Sequence, residues 1–210
     1  MGKAANVLWN ETGNESHYSL ENGPAPLETA AADPLSDRVV FLMRGLPCAG
    51  KSYAARGLAG ATGITLETDE FFWIREDGKP PRYHYRQDLL ATARQWNFER
   101  FQNAIAAGIS PIIVDRGNGR NAASKQYAQY AIEHGYRVEL REPDSPWWRE
   151  IRALLPDKAA NRQLLQVWAA RLAEMSLATH RVPESTIQSW IDAWDPNLTV
   201  AEILNCPTHQ

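Results

Sequence analysis

Five consecutive apolar residues, Val39-Val40-Phe41-Leu42-Met43, lead through Arg44 into Gly45-Leu46-Pro47-Cys48-Ala49-Gly50-Lys51-Ser52. A short apolar run closed by glycine is the pattern of a strand buried on both faces. The octapeptide fits G-x-x-x-x-G-K-S, and helix-compatible sequence follows it, which is the context a phosphate-binding loop requires. Phosphates carry dense negative charge. A loop that turns successive backbone N–H groups inward at a helix N-terminus suits them, and glycine lets that backbone approach closely. Gly45, Leu46, Pro47, Cys48, Ala49 and Gly50 would form the cradle. Lys51 would reach the β and γ phosphates of a nucleoside triphosphate, and Ser52 would place its hydroxyl on Mg²⁺. Cys48, close to a helix N-terminus, is expected to carry a lowered thiol pKa and to react with alkylators.

The rest of the chain alternates strand and helix patterns. A second strand is expected at 64–68, a helix at 89–107 stopped by Gly108, and a third buried strand at 111–115. A helix at 122–134, a fourth strand at 136–141 and a mostly helical stretch at 144–178 with a break near Pro156 follow. Pro183 opens a last long helix, and 198–200 is expected to add a short final strand. This alternation predicts an α/β fold of the P-loop NTPase, nucleotide-kinase-like kind: a parallel sheet flanked by helices, with a helical lid at about 147–182.

Charge divides the chain unevenly. Residues 1–37 hold six acids and one lysine, while the remaining 173 hold 19 acids against 21 Lys and Arg. The first segment shows no sustained apolar period and reads as a disordered acidic tail, with the domain spanning 38–210. Cys48 and Cys206 are the only cysteines, which excludes a disulfide framework and a four-cysteine zinc site. No apolar stretch approaches a membrane span and no secretory signal opens the sequence, so a cytoplasmic protein without a membrane partner is expected.

A phosphate loop does not specify what is done with the nucleotide. The acceptor side must decide. The second strand runs into Glu67-Thr68-Asp69-Glu70, where Asp69 is the candidate general base for an attacking hydroxyl, or else a helix N-cap. Asp115 ends the third strand and Arg116 and Asn118 share the loop after it, positions suited to substrate or to turn formation. Between 71 and 86 five aromatics interleave with Arg75, Lys79, Arg82 and Arg86. That mixture can stack bases and neutralise phosphates, or it can be a partly buried loop with solvated charges.

The motifs RGLPCAGKS (44–52), TDEFF (68–72), REDG (75–78), GISPIIVD (108–115), EPDSPW (142–147) and HRVPE (180–184) occur in order. Together they resemble the P-loop domain of the NEDD-four-binding-protein-two-like proteins, a group similar to the kinase half of polynucleotide kinases. The resemblance implies phosphorylation of a hydroxyl with ATP and Mg²⁺, in the best-known cases the 5′-hydroxyl of single-stranded DNA or RNA. It places Asp69 as base, Lys51 as the catalytic lysine, and Asp115 and Asn118 on the acceptor side; Arg116, Arg82 and Arg86 are substrate-binding candidates by their own position and charge. The family usually has D-N-T-N where this chain has Asp115-Arg116-Gly117-Asn118, and R-N-x-H-G-V where it has Leu177 to Val182. The missing lid arginine leaves Arg149, Arg152, Arg171 and Arg181 as replacements. Three functions stay open: a polynucleotide 5′-hydroxyl kinase, a kinase of a small sugar, nucleoside or antibiotic hydroxyl, and a non-catalytic NTP-binding module.

Overall fold

A computed structural model describes residues 37–207. The expected acidic tail lies outside the described residues, Asp37 excepted. β1 (Val39–Met43) is buried along its whole length, as its unbroken apolar sequence requires of a central strand. Behind it come α1 (Lys51–Ala59), β2 (Ile64–Glu67), a 3₁₀ turn at Thr68–Phe72 and a hairpin of β3 (Trp73–Ile74) and β4 (Arg82–Tyr83). Then follow α2 (Leu90–Ala106), β5 (Ile112–Asp115), α3 (Ala122–Glu133), β6 (Arg137–Arg141), α4 (Pro146–Leu154), α5 (Arg162–Ser176), α6 (Glu184–Asp192) and α7 (Val200–Leu204).

β2, β5, β1 and β6 form a four-stranded sheet in that order, every pair parallel. Alternation along the strands sends side chains to opposite faces. Val40, Leu42, Ile112 and Val114 meet Phe98, Phe101 and Tyr127 of α2 and α3. Val39, Phe41, Met43 and Ile113 meet Ala55 and Ala59 of α1. Helices thus cover both faces, the α/β arrangement that the alternating pattern predicts.

A third cluster has a different role. Trp148, Ile151, Leu155, Leu165, Leu172, Ile187 and Ile191 from α4, the 3₁₀ turn after it, α5 and α6 pack against Leu46 and Ala49 of the phosphate loop. The helical stretch read from sequence as a lid region is therefore anchored on the loop by apolar burial. Its break lies at the 3₁₀ turn Leu155–Asp157 around Pro156, where a missing N–H cannot continue an α-helix.

Two local readings are corrected. Residues 198–200 do not form a strand: Thr199 accepts from the Glu202 backbone, Glu202 reaches back to the Thr199 backbone, and this capping box starts α7 instead. The 71–86 segment contains the β3–β4 hairpin, with Trp73 opposite Tyr83 and Ile74 opposite Arg82. Its turn passes through Asp77-Gly78, with Gly78 at φ 74°, a conformation glycine adopts without a Cβ clash.

Candidate active site

A cleft of about 1880 Å³ opens at the carboxyl ends of β1, β2 and β5, where ligands bind in open parallel sheets. Its floor is the phosphate loop. Gly50 at φ 93° caps α1 in the left-handed region, and a Cβ on Gly45 would sit 3.2 Å from both the Lys51 and Pro143 side chains. Cys48 holds φ 57° without being glycine, a costly conformation held here by its neighbours. Trp147 Nε1 donates to the Cys48 carbonyl at 2.9 Å, and Ser145 Oγ donates to the Ala49 carbonyl at 2.9 Å. Ser145 also caps α4 by accepting from the Trp148 N–H. The EPDSPW segment thus fastens the loop from behind. Among the described residues the backbone N–H groups of Cys48, Gly50, Lys51 and Ser52 have no protein acceptor. They remain available to an anion, as the first turn of a helix dictates.

The Lys51 ammonium donates to the Gly45 and Leu46 carbonyls at 3.0 and 2.9 Å. Burial lowers its pKa, opposed by the charges of Asp115, Cys48, Asp69 and Glu67. Leu46 and Ala49, named as cradle residues, contribute backbone only, because their side chains are buried in the helical cluster. The Cys48 thiol departs from expectation: burial raises its pKa, outweighing a hydrogen bond to Thr179 and the Lys51 charge.

Facing the loop, β2 and β5 end side by side, with Glu67 in register with Asp115. Asp115 is 6% exposed, and its Oδ2 is buried without a partner. The Glu67 carboxyl is pushed up to about 7, chiefly by burial and then by the Asp115 charge. Two adjoining carboxyls, one with an orphaned oxygen, share the cleft with the Ser52 hydroxyl. This set of hard oxygen donors fits a hydrated Mg²⁺, which keeps several waters and takes few carboxylates.

Asp69 lies in the 3₁₀ turn after β2 and does not cap a helix. Each of its oxygens is approached by a group from a different segment. The Tyr83 hydroxyl donates to Oδ1 at 3.4 Å, and His180 Nδ1 lies 3.6 Å from Oδ2. The Tyr83 and His180 rings meet edge to face at 5.7 Å. Burial and the neighbouring Asp69 charge raise the Tyr83 pKa, which keeps the phenol a donor.

His180 and Arg181 occupy a turn tied to Ser176, whose carbonyl accepts from Thr179 and Arg181 N–H and whose Oγ accepts from the Val182 N–H. Of the four arginines offered for the lid, Arg181 lines the cleft. The others serve elsewhere. Arg149 pairs with Asp144 at 2.6 Å, Arg152 with Glu142 at 3.2 Å, and Arg171 lies over Trp168.

The acceptor-side residues divide similarly. Arg116 lines the cleft, 5.9 Å above the Tyr127 ring, and burial lowers its pKa. Asn118 reaches the cleft wall but is 2% exposed, and its amide donates to the Met43, Val114 and Arg116 carbonyls. It holds the loop and has little capacity left for a ligand. Arg82 pairs with Glu76 and Arg86 with Asp88, both outside the cleft wall. Tyr83, His84 and Tyr85 between them do line it. Sequence reading gave no individual role to Glu67, His180 or Arg94, and counted Tyr83 only among aromatics able to stack bases; the structure brings all four to this cleft. For Glu67 a signal existed, since the next strand also ends in a carboxylate. For Arg94, one charge on a long helix, none did.

Residues 40–177 match the protein family described as the AAA domain. The chain is 31% identical over 170 residues to NEDD4-binding protein 2 of Homo sapiens, covering 80% of this chain and 9% of that protein. It is 28% identical over 127 residues to YLP motif-containing protein 1 of Rattus norvegicus and of Mus musculus, covering 50% of this chain and 9% of theirs. The resemblance drawn from the motifs is upheld. The chain spans about a tenth of the length of these curated relatives. No helix among the described residues is long and apolar enough to cross a membrane.

Proposed function

Since the chain belongs to the AAA-domain family of P-loop proteins, we propose that it is an ATP-dependent phosphotransferase acting on a hydroxyl, of the polynucleotide 5′-hydroxyl kinase type. The observation that carries this reading is Asp69: a carboxylate set by two neighbours in the same cleft as the phosphate loop. A module that only binds nucleotide has no need of such a base. The free N–H groups of the loop and Lys51 hold the triphosphate. Ser52, Asp115 and Glu67 would hold Mg²⁺, which when bound neutralises charge on the phosphate oxygens. Asp69 takes the proton of the acceptor hydroxyl while that oxygen attacks the γ-phosphorus. The bond from γ-phosphorus to the bridging oxygen breaks, and ADP leaves with the electron pair. Of the four lid candidates, Arg181 lines the cleft on the turn after α5, which supports a role for it in meeting charge that develops on the transferred group.

Two further features support an acceptor that is a nucleic acid strand. The cleft volume of about 1880 Å³ exceeds the roughly 300–1,000 Å³ of a single small-molecule pocket, leaving room for a second ligand beside ATP. Tyr83, His84 and Tyr85 on its wall offer flat faces for bases.

Labelled γ-phosphate from ATP, followed onto 5′-hydroxyl DNA and RNA oligonucleotides and onto neutral sugars and nucleosides, tests the assignment. Label on oligonucleotide 5′ ends, lost in Lys51→Ala and suppressed by added salt, is expected. Label on a neutral alcohol alone, insensitive to salt, would make the protein a small-molecule kinase instead.

A further inference from the structure

α5 carries more apolar surface than its own packing uses. Leu165, Ala169 and Leu172 recur at helical spacing and sit in the cluster that covers the phosphate loop. Leu164, Val167, Trp168, Arg171 and Met175, with Ala178 just past the helix end, recur at the same spacing on a second face. Here Leu164 is 56% exposed, Val167 48% and Met175 45%. A helix that is apolar on two sides calls for a neighbour on each. Among the described residues only the first side is fully covered.

The charges on this face say what fits it. Arg171 and Glu174 lie one turn apart beside the apolar stripe, both exposed, and neither has an oppositely charged group within salt-bridge distance among the described residues. The Arg171 guanidinium lies back over the Trp168 ring at 5.2 Å, toward the helix N-terminus and away from Glu174. A cation followed one turn later by an acid is self-complementary under a two-fold axis. Two copies of α5 laid antiparallel, with that axis between 171 and 174, set Arg171 of each against Glu174 of the other and Val167 against Ala178, a small residue that permits close approach. An in-register parallel pair would set like charges face to face.

We propose that this face of α5 is a self-association surface, on which a second copy of the chain packs its own α5 antiparallel. The helix has 15 residues and is therefore about 22 Å long. A face of that length buries about 500 Å² per copy, or about 1,000 Å² in all, the lower limit for a specific interface. The expected dimer is reversible, with a Kd in the micromolar range. α5 leads into the turn whose His180 and Arg181 line the cleft, so association braces the helix that carries this turn. The inference is independent of the phosphotransferase reading and stands equally for a protein that only binds nucleotide.

The test is sedimentation of the full chain over a concentration series from low to several hundred micromolar, with four variants beside wild type. Arg171→Glu and Glu174→Arg each place like charges across the proposed axis and should weaken the dimer by at least about tenfold. The double variant, carrying both reversals, restores opposite charges and should recover most of the wild-type Kd. Arg162→Glu changes charge on the same helix but off this face and should leave the dimer as it is. All three positions are exposed, so the core is untouched, and recovery in the double variant cannot come from a folding defect in the singles. A chain that stays monomeric at every concentration would overturn the proposal. So would a dimer that ignores both single reversals, which would lie on another face, or one that the double variant fails to restore, which would lack the antiparallel pairing.

Discussion

Replacing Glu67 by glutamine isolates the carboxyl pair at the ends of β2 and β5. Burial and the Asp115 charge raise the folded-state pKa of Glu67 from 4.5 to about 7. The folded protein therefore holds this proton more tightly than the unfolded chain does. The contribution to stability is fully present below 4.5 and is lost as the pH rises from there through 7. The shift corresponds to about 3 kcal/mol, and because Glu67 is only partly buried, solvent screening brings the realistic effect to about 1–2 kcal/mol. Glutamine keeps the shape, can donate to Asp115 and does not ionise. Urea unfolding of wild type and Glu67→Gln in EDTA at pH 5 and pH 8 gives four free energies, and their double difference cancels the groups that do not interact with Glu67. The variant should match wild type at pH 5 and exceed its stability by about 1–2 kcal/mol at pH 8. A double difference of zero would refute the account of two carboxyls sharing a desolvated site.

Alkylation of Cys48 should be slower at pH 7 than that of an exposed thiol and should accelerate only in alkaline solution, because burial raises its pKa. A rate versus pH profile on a Cys206→Ser background checks this, and fast labelling at pH 6 would contradict it. Tyr83→Phe removes the donor to Asp69 Oδ1 and should lower kcat several-fold with KM for ATP unchanged, read from steady-state transfer assays. Phe101→Ala empties a fully buried site between Phe98 and Tyr127 and should cost about 3–5 kcal/mol in denaturant unfolding.

The strand, loop and first helix were legible because an apolar run, two glycines and a lysine are each demanded by local physics. β5, buried along its whole length, was legible for the same reason, whereas β2 and β6 are partly buried edge strands whose short β-branched and apolar stretches lie between helical patterns. The β3–β4 hairpin escaped because strands of two residues are too short to show a period, although Asp77-Gly78 is a recognised turn signal. The C-terminal strand reading failed because β-branched Thr199 and Val200 suggested extension while the Thr199–Glu202 box favoured a helix. Direction was the hardest quantity. Arg82 and Arg86 share a segment with Tyr83 and Tyr85, yet the arginines turn to Glu76 and Asp88 while the tyrosines face the cleft. Asn118 matched a motif position in sequence, but the backbone carbonyls around it had the stronger claim on its amide. Arg94 needed the packing of α2 against the sheet to reach the cleft wall at all.

The central claim is that Asp69 is the base opposite the phosphate loop. Asp69→Asn keeps the shape of the side chain and its contact with Tyr83 while removing the charge that accepts a proton. ATP affinity and label transfer should be measured on the same preparation, using the best acceptor from the oligonucleotide panel. ATP binding at wild-type strength with transfer reduced by at least about a hundredfold, the usual worth of a general base, is the expected result. Transfer at the wild-type rate would contradict the assignment and would mean that the cleft binds nucleotide without using this carboxylate.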